Sequence, residues 1–267
     1  MALPPATSES TVVVTGASAG IGAELARELA RRGYNVVLVA RRVERLRALA
    51  AELEAYGVAA AVEPCNLIDA DERRALIGRL EQGQRAVVGV CNNAGFGSVA
   101  TLLDADLERE QDAVRLNVEA VHHLTGAFVG PMVERGAGAI LNVASSAAFQ
   151  PVPGFATYAA GKAFVQSFSE AVHTELSGSG VSVTCLCPGF SHTEFGASAD
   201  AGDAEAALPE ILFTEAADIA RAGIDGMVAG RRSVIPGSAV NRAVMIGGRF
   251  APRTVLLPLV RHVTERR

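Results

Sequence analysis

Residues 11–40 read TVVVTGASAGIGAELARELARRGYNVVLVA. Thr11 to Thr15 is a short β-branched run that predicts a buried strand. Ile21, Leu25 and Leu29 then recur every four residues, the apolar stripe of a helix. Gly33 ends that helix, and Asn35 to Ala40 predicts a second strand. Between the first strand and the helix lie Gly16, Gly20 and Gly22. Glycines there let a backbone approach a pyrophosphate, and a helix N-terminus offers free N–H groups and a positive dipole end. The spacing is GxxxGxG rather than the commoner GxGxxG, and no GK[ST] follows to make a P-loop. The same residues spell GxSxG, so a second reading makes Ser18 the nucleophile of an esterase elbow. That elbow would lie on the very first strand, with almost no chain before it for an oxyanion loop. The bland alternative is a tight turn that holds nothing.

The pattern continues outward. Strand-like runs recur at Val58–Val62, Ala86–Cys91, Ala139–Val143, Val181–Leu186 and Ser233–Ile235, mostly separated by helical stretches such as the one carrying Leu46, Leu49 and Leu53. Strands alternating with helices predict an α/β fold, a parallel sheet of about seven strands covered on both faces. No long linker or internal repeat divides residues 1–267, so one doubly wound domain is expected. Ser191 to Leu208 has little periodicity and reads as a mobile loop, where substrate recognition often resides.

Composition excludes several classes. With 267 residues, 49% of them hydrophobic and 20% charged, a sizeable core is available. A net charge of -5 gives no reason to expect nucleic acid. Cys65, Cys91, Cys185 and Cys187 each fall near a strand end and form no CxxC. They read as buried hydrophobes in a reducing compartment. No HExxH is present, and no metal site is expected. MALPPATSES at the start is no secretion signal, and no apolar run reaches the length of a membrane span, so a cytoplasmic location is expected.

Ser145 to Lys162 reads SSAAFQPVPGFATYAAGK. On a helix, Tyr158 and Lys162 share a face. An ammonium beside a phenol favours the phenolate, which would let Tyr158 exchange a proton near neutral pH. Taken alone, the pair is a half-buried tyrosine and a solvated lysine.

Taken together, the motifs resemble the short-chain dehydrogenase/reductase family, in that family's order. Thr15-Gly16 through Gly20-Ile21-Gly22 matches its TGxxxGxG turn, and Asn92-Asn93-Ala94-Gly95 its NNAG. Asn117 lies in a long helix, Ser145 precedes Tyr158 by the expected spacing, and Tyr158 to Lys162 is its YxxxK. Pro188-Gly189 with Thr193 matches its PGxxxT. The resemblance spans about residues 11–237. Asn66, beside Leu67, departs from it, standing where many members have Asp near the adenine. Ser145 fits the spacing to Tyr158, while Ser146 would point elsewhere.

The resemblance implies hydride transfer between a nicotinamide cofactor and a carbonyl or alcohol. Tyr158 would be the general acid/base and Lys162 would lower its pKa and hold ribose hydroxyls. Ser145 would hydrogen-bond the substrate oxygen, and Asn117 would hold a water leading to Lys162. Asn93, Ala94 and Gly95 would lie against the cofactor. Thr193 would reach the nicotinamide amide or the phosphates, unless it only caps a helix. Phe149, Val152, Phe155, Phe190 and Phe195 suggest an apolar substrate. The family fold also serves as a non-enzymatic cofactor sensor, but the intact Ser145, Tyr158 and Lys162 argue for an enzyme. The resemblance also implies a homodimer or homotetramer through helices near 106–134 and 157–177.

Cofactor choice rests on the end of the second strand, Val39-Ala40-Arg41-Arg42. An acid there bonds a free ribose 2′-OH, and an arginine favours the 2′-phosphate. Ala40 is neutral and two arginines follow, so NADP(H) is expected over NAD(H), mainly through Arg41 with help from Arg42 or Ser18. Residues 242–267 carry six Arg against one Glu, together with apolar residues near Pro258. They are expected to pack on their own domain or a neighbour subunit, or else to touch an anionic membrane surface reversibly.

Overall fold

The computed structural model describes residues 2–199 and 213–264. Seven parallel strands form one sheet: β1 (Ser10–Thr15), β2 (Asn35–Ala40), β3 (Ala60–Pro64), β4 (Ala86–Asn92), β5 (Gly138–Val143), β6 (Val181–Leu186) and β7 (Ser233–Val234). Their order is β3-β2-β1-β4-β5-β6-β7. Successive side chains on a strand face opposite ways. Val12 and Val14 enter one core layer and Val13 the other; Val36 and Leu38 separate from Val37 and Val39 in the same manner. The continuous valine runs are therefore strands buried on both faces, the condition of a parallel sheet.

Helices α1 (Gly20–Arg31) and α2 (Val43–Glu54), with the helix Ala216–Val228, cover one face. Leu25, Leu29, Leu46 and Leu53 on them are fully buried. The other face is covered by α3 (Ala70–Glu81), α5 (Val121–Arg135) and α6 (Ala156–Glu175). Helix α4 (Leu107–Val114) leads into α5 through a π-helical turn, Arg115–Ala120. The chain leaves β1 toward β2 and β3, then returns to β4 on the other side of β1. The carboxyl ends of β1 and β4 therefore flank the crevice where doubly wound sheets bind ligands.

Several boundaries differ from the sequence expectation. The third strand starts at Ala60, not Val58, because Val36 pairs with Ala60. Val58 is buried ahead of it, so apolarity alone did not mark the boundary. The long helix over 106–134 is interrupted by the π turn. The stretch 191–208 holds a short helix, Glu194–Ser198, while residues 200–208 lie outside the described ones. The C-terminal segment forms helices Ala239–Phe250 and Arg253–Thr264, with Phe250 largely exposed. Among the described residues no helix is long and apolar enough to cross a membrane.

Candidate active site

The glycine turn is built for close approach. Gly16 and Gly20 have φ of 66° and 53°, the left-handed region that favours glycine. A β-carbon on Gly22 would lie 2.2 Å from the Gly16 carbonyl oxygen. Ile21 is half-buried against the α1 side of the core. Thr15 locks this turn to the end of β4. Its hydroxyl accepts from the backbone N–H of Asn93 at 2.9 Å and of Ala94 at 3.0 Å, and the Asn93 side chain donates to the Thr15 carbonyl at 3.0 Å. Thr193 sits over Gly20, with its Cβ 3.2 Å from where a glycine β-carbon would be. Its hydroxyl also accepts from the Phe195 N–H at 3.3 Å, so it caps the short helix as well.

Behind the turn, Gly95 leaves room for two polar groups to converge. A β-carbon there would be 2.6 Å from Asn117 Oδ1 and 3.2 Å from Lys162 Nζ. Asn117 projects from the π turn, whose widened backbone re-aims a side chain. Its Nδ2 donates to the Phe96 carbonyl at 2.7 Å, and its buried Oδ1 has no protein partner. Lys162 is buried on α6 and donates to the Val143 carbonyl at 2.8 Å.

Tyr158 lies one turn before Lys162, with the ammonium 5.6 Å from its ring centroid. The ring stacks on Phe155 at 4.4 Å and meets Phe195 at 5.2 Å. Gly97 permits that stack, since a β-carbon there would be 2.5 Å from the Phe155 ring. Ser145 lies two residues beyond β5 and accepts from the Ala147 N–H at 3.1 Å; its hydroxyl is near enough to the Tyr158 phenol to lower its pKa. Ser146 instead gives its backbone N–H to the Pro188 carbonyl at 2.7 Å. Pro188 and Gly189 thus run beside the start of the 3-10 turn, Ser146–Phe149.

The electrostatics correct one expectation. Lys162 does not depress the Tyr158 pKa in this arrangement. Burial pushes the phenol up to about 12, and the Ser145 hydrogen bond opposes that only in part. Burial also lowers Lys162 to about 8, against the raising effect of Cys185 and Cys187. Removing both groups from water favours the neutral form of each. Tyr158 therefore holds its proton at neutral pH.

The family model described as short chain dehydrogenase matches residues 10–204. The chain belongs to the short-chain dehydrogenase family. An uncharacterized oxidoreductase of Myxococcus xanthus is 38% identical over 194 residues, covering 72% of this chain and 76% of its own. A short-chain dehydrogenase from Sphingobium yanoikuyae, solved with NADPH, superposes with a TM-score of 0.80 at 33% identity, over 93% of this chain and 95% of that one. A variant of the actinorhodin polyketide ketoreductase with NADPH gives a TM-score of 0.78 at 29% identity, over 88% and 99% of the two chains. This short-chain dehydrogenase is an NAD(P)-dependent oxidoreductase of the carbonyl/alcohol type.

The remaining expected site residues of the dehydrogenase divide. Ser18 accepts a hydrogen bond from Arg42 Nε at 3.1 Å. A guanidinium does not take up a proton, so Ser18 is not poised as a hydrolytic nucleophile. Arg41 is exposed. Arg42 pairs with Glu194. Asn66 Oδ1 accepts from the Ile68 N–H at 3.3 Å, so that oxygen is engaged in its own turn. The Leu67 side chain is core, and its carbonyl accepts from Arg73 at 2.6 Å. Of the expected substrate-pocket residues, Phe155 and Phe195 meet the Tyr158 ring. Phe149 is buried against Val165 and Met245, and Phe190 meets Phe213 at 5.8 Å.

Of the supports of the site, sequence reasoning found Asn92, in NNAG, and missed the others. Arg73 is buried on α3, and Asn92, Asn142 and Ser169 form a polar chain from β4 through β5 to α6, with links of 2.8 and 3.0 Å. A polar residue in an apolar strand run, such as Asn142 in AILNV, was the available signal.

Proposed function

We propose that this short-chain dehydrogenase transfers a hydride between NADP(H) and the carbonyl or alcohol carbon of an apolar substrate, with Tyr158 as general acid and base. The observation that carries this is the convergence of Ser145, Tyr158 and Lys162 at the sheet crevice, beside a turn whose glycines leave no room for side chains. That cradle fits a dinucleotide pyrophosphate: β-carbons at Gly16 and Gly22 would collide with neighbouring atoms, and α1 begins at Gly20 with its N-terminal N–H groups on the turn. Gly16, Ser18, Gly20, Ile21, Gly22, Asn93, Ala94 and Gly95 would hold the dinucleotide, with Pro188, Gly189 and Thr193 on the far wall. Bound there, the cofactor supplies or accepts the hydride.

The side chains supply the rest. A neutral Tyr158 can give its proton to a carbonyl oxygen during reduction and take it back in the reverse direction. Ser145 would hold that oxygen by a hydrogen bond that strengthens as negative charge develops. Lys162 would hold ribose hydroxyls, and its low pKa suits it to pass a proton back to Tyr158. Asn117 Oδ1 would hold a water leading to Lys162. The stacked Phe155 ring and the tilted Phe195 ring keep bulk water from the phenol and favour an apolar substrate.

The preference for the phosphorylated cofactor rests on Ala40, which offers no acid, and on Arg41 and Arg42 beside Ser18. The NADPH-bound neighbours are in keeping with it. The central test is Tyr158→Phe. Turnover of a ketone panel, followed by nicotinamide absorbance, should fall by at least a hundredfold, the order of a general acid–base contribution. Cofactor binding by titration should persist. A Phe variant with most of the activity would refute the assignment.

A further inference from the structure

Three consecutive residues fasten the short helix Glu194–Ser198 to three parts of the site. Thr193 packs over Gly20, and Phe195 lies on Tyr158. Between them, Glu194 reaches the end of β2. Its Oε2 accepts from Arg42 at 2.7 Å and its Oε1 from Arg45 at 2.5 Å. Arg42 also donates to Ser18. An open cleft of about 230 Å³ begins here, with Ala17, Ser18, Arg45 and Glu52 on its wall.

The carboxylate thus sits on guanidiniums at the place where a ribose 2′ substituent is read. The strand end carries no acid of its own, yet the fold delivers one from more than 150 residues downstream. The Arg42, Arg45 and Glu194 side chains are 45%, 50% and 53% exposed, so these are solvated, exchangeable pairs. A phosphate monoester brings nearly two negative charges and three acceptor oxygens against one carboxylate charge. It can take over the same two guanidiniums bidentately.

We propose that Glu194 is a built-in rival of the cofactor's 2′-phosphate: it holds Arg42 and Arg45, yields them when NADP(H) binds, and thereby limits the preference over NAD(H). Arg45 is then a third arginine for the phosphate, besides Arg41 and Arg42. The inference rests on the NADP(H) reading and deepens it. Glu194 keeps its carboxyl below the usual carboxylate range through its hydrogen bonds to Arg42 and Arg45, so it competes as an anion throughout the neutral range.

Calorimetric titration with 2′,5′-ADP and with 5′-AMP tests this without any turnover. Glu194→Gln should bind 2′,5′-ADP about threefold to thirtyfold tighter than the parent, the scale of two exposed ion pairs. Its affinity for 5′-AMP should not rise. Adding Arg45→Ala to that variant should reverse most of the gain. Unchanged or weaker 2′,5′-ADP binding by a folded Glu194→Gln overturns the rivalry. If parent and variant both bind 5′-AMP as tightly as 2′,5′-ADP, the NADP(H) reading falls and takes the inference with it.

Discussion

Arg41 and Arg42 are neighbours in the chain with different surroundings. Arg42 is shared between Ser18 and Glu194, whereas Arg41 is exposed. A charged hydrogen bond to a phosphate contributes about 1.5–3 kcal/mol, roughly tenfold to a hundredfold in affinity. Arg41→Ala should weaken NADPH binding by about that ratio and leave NADH nearly unchanged. Ala40→Asp should shift the preference toward NADH. Fluorescence titration of each cofactor checks both, and a parent protein that binds NADH as tightly as NADPH would refute the assignment. Lys162 offers a second test. Burial holds it at about 8, below its ordinary 10.5. Between those values the unfolded chain binds the proton and the folded chain does not, so this group makes folding more favourable as pH rises from 8 to 10.5. Below pH 8 the folded, cofactor-free protein carries a buried ammonium at a constant cost. Lys162→Met removes it. The variant should be inactive yet more stable than the parent below pH 8, by up to about 3 kcal/mol. That advantage should shrink as pH approaches 10.5, which thermal unfolding of the two proteins in parallel would show.

Among the elements, the glycine turn and α3 make opposite predictions for the same substitution. A β-carbon on Gly22 would collide with the Gly16 carbonyl, while one on Gly78 would meet nothing within 4 Å. Gly22→Ala should destabilise by about 1–3 kcal/mol, the usual cost of overpacking, and impair dinucleotide binding. Gly78→Ala, in the interior of α3, should stabilise by about 0.5–1 kcal/mol. Thermal midpoints that moved together would contradict the turn geometry. Both glycines lie within helical stretches, and nothing local in their sequence separates them. The close approach of Gly16 to Gly22 does.

Considered as an assembly unit, the molecule leaves apolar side chains exposed on its long helices. Val114, Val133 and Phe164, on α4, α5 and α6, are each about two-fifths exposed, and Phe164 stacks on Phe168 at 5.6 Å. These helices are the ones through which the resemblance implies association. We expect a homo-oligomer at micromolar concentration, and Phe164→Glu should lower its mass in sedimentation while leaving the fold intact. A monomeric parent would remove the expectation.

Much of this protein was readable from local pattern. Valine runs alternating with leucine stripes gave the doubly wound sheet, because strand and helix periods are set by backbone geometry alone. The four-residue step from Tyr158 to Lys162, and the order of the glycine, NNAG and PGxxxT motifs, located the candidate site for the same reason. Other features had no local signal. The π turn that aims Asn117, the protonated state of Tyr158, the burial of Phe149, and the seating of Glu194 on Arg42 and Arg45 depend on what packs nearby in space. Hydrogen bonds across 150 residues, and the exclusion of water that moves a pKa, arise only when the chain has closed on itself.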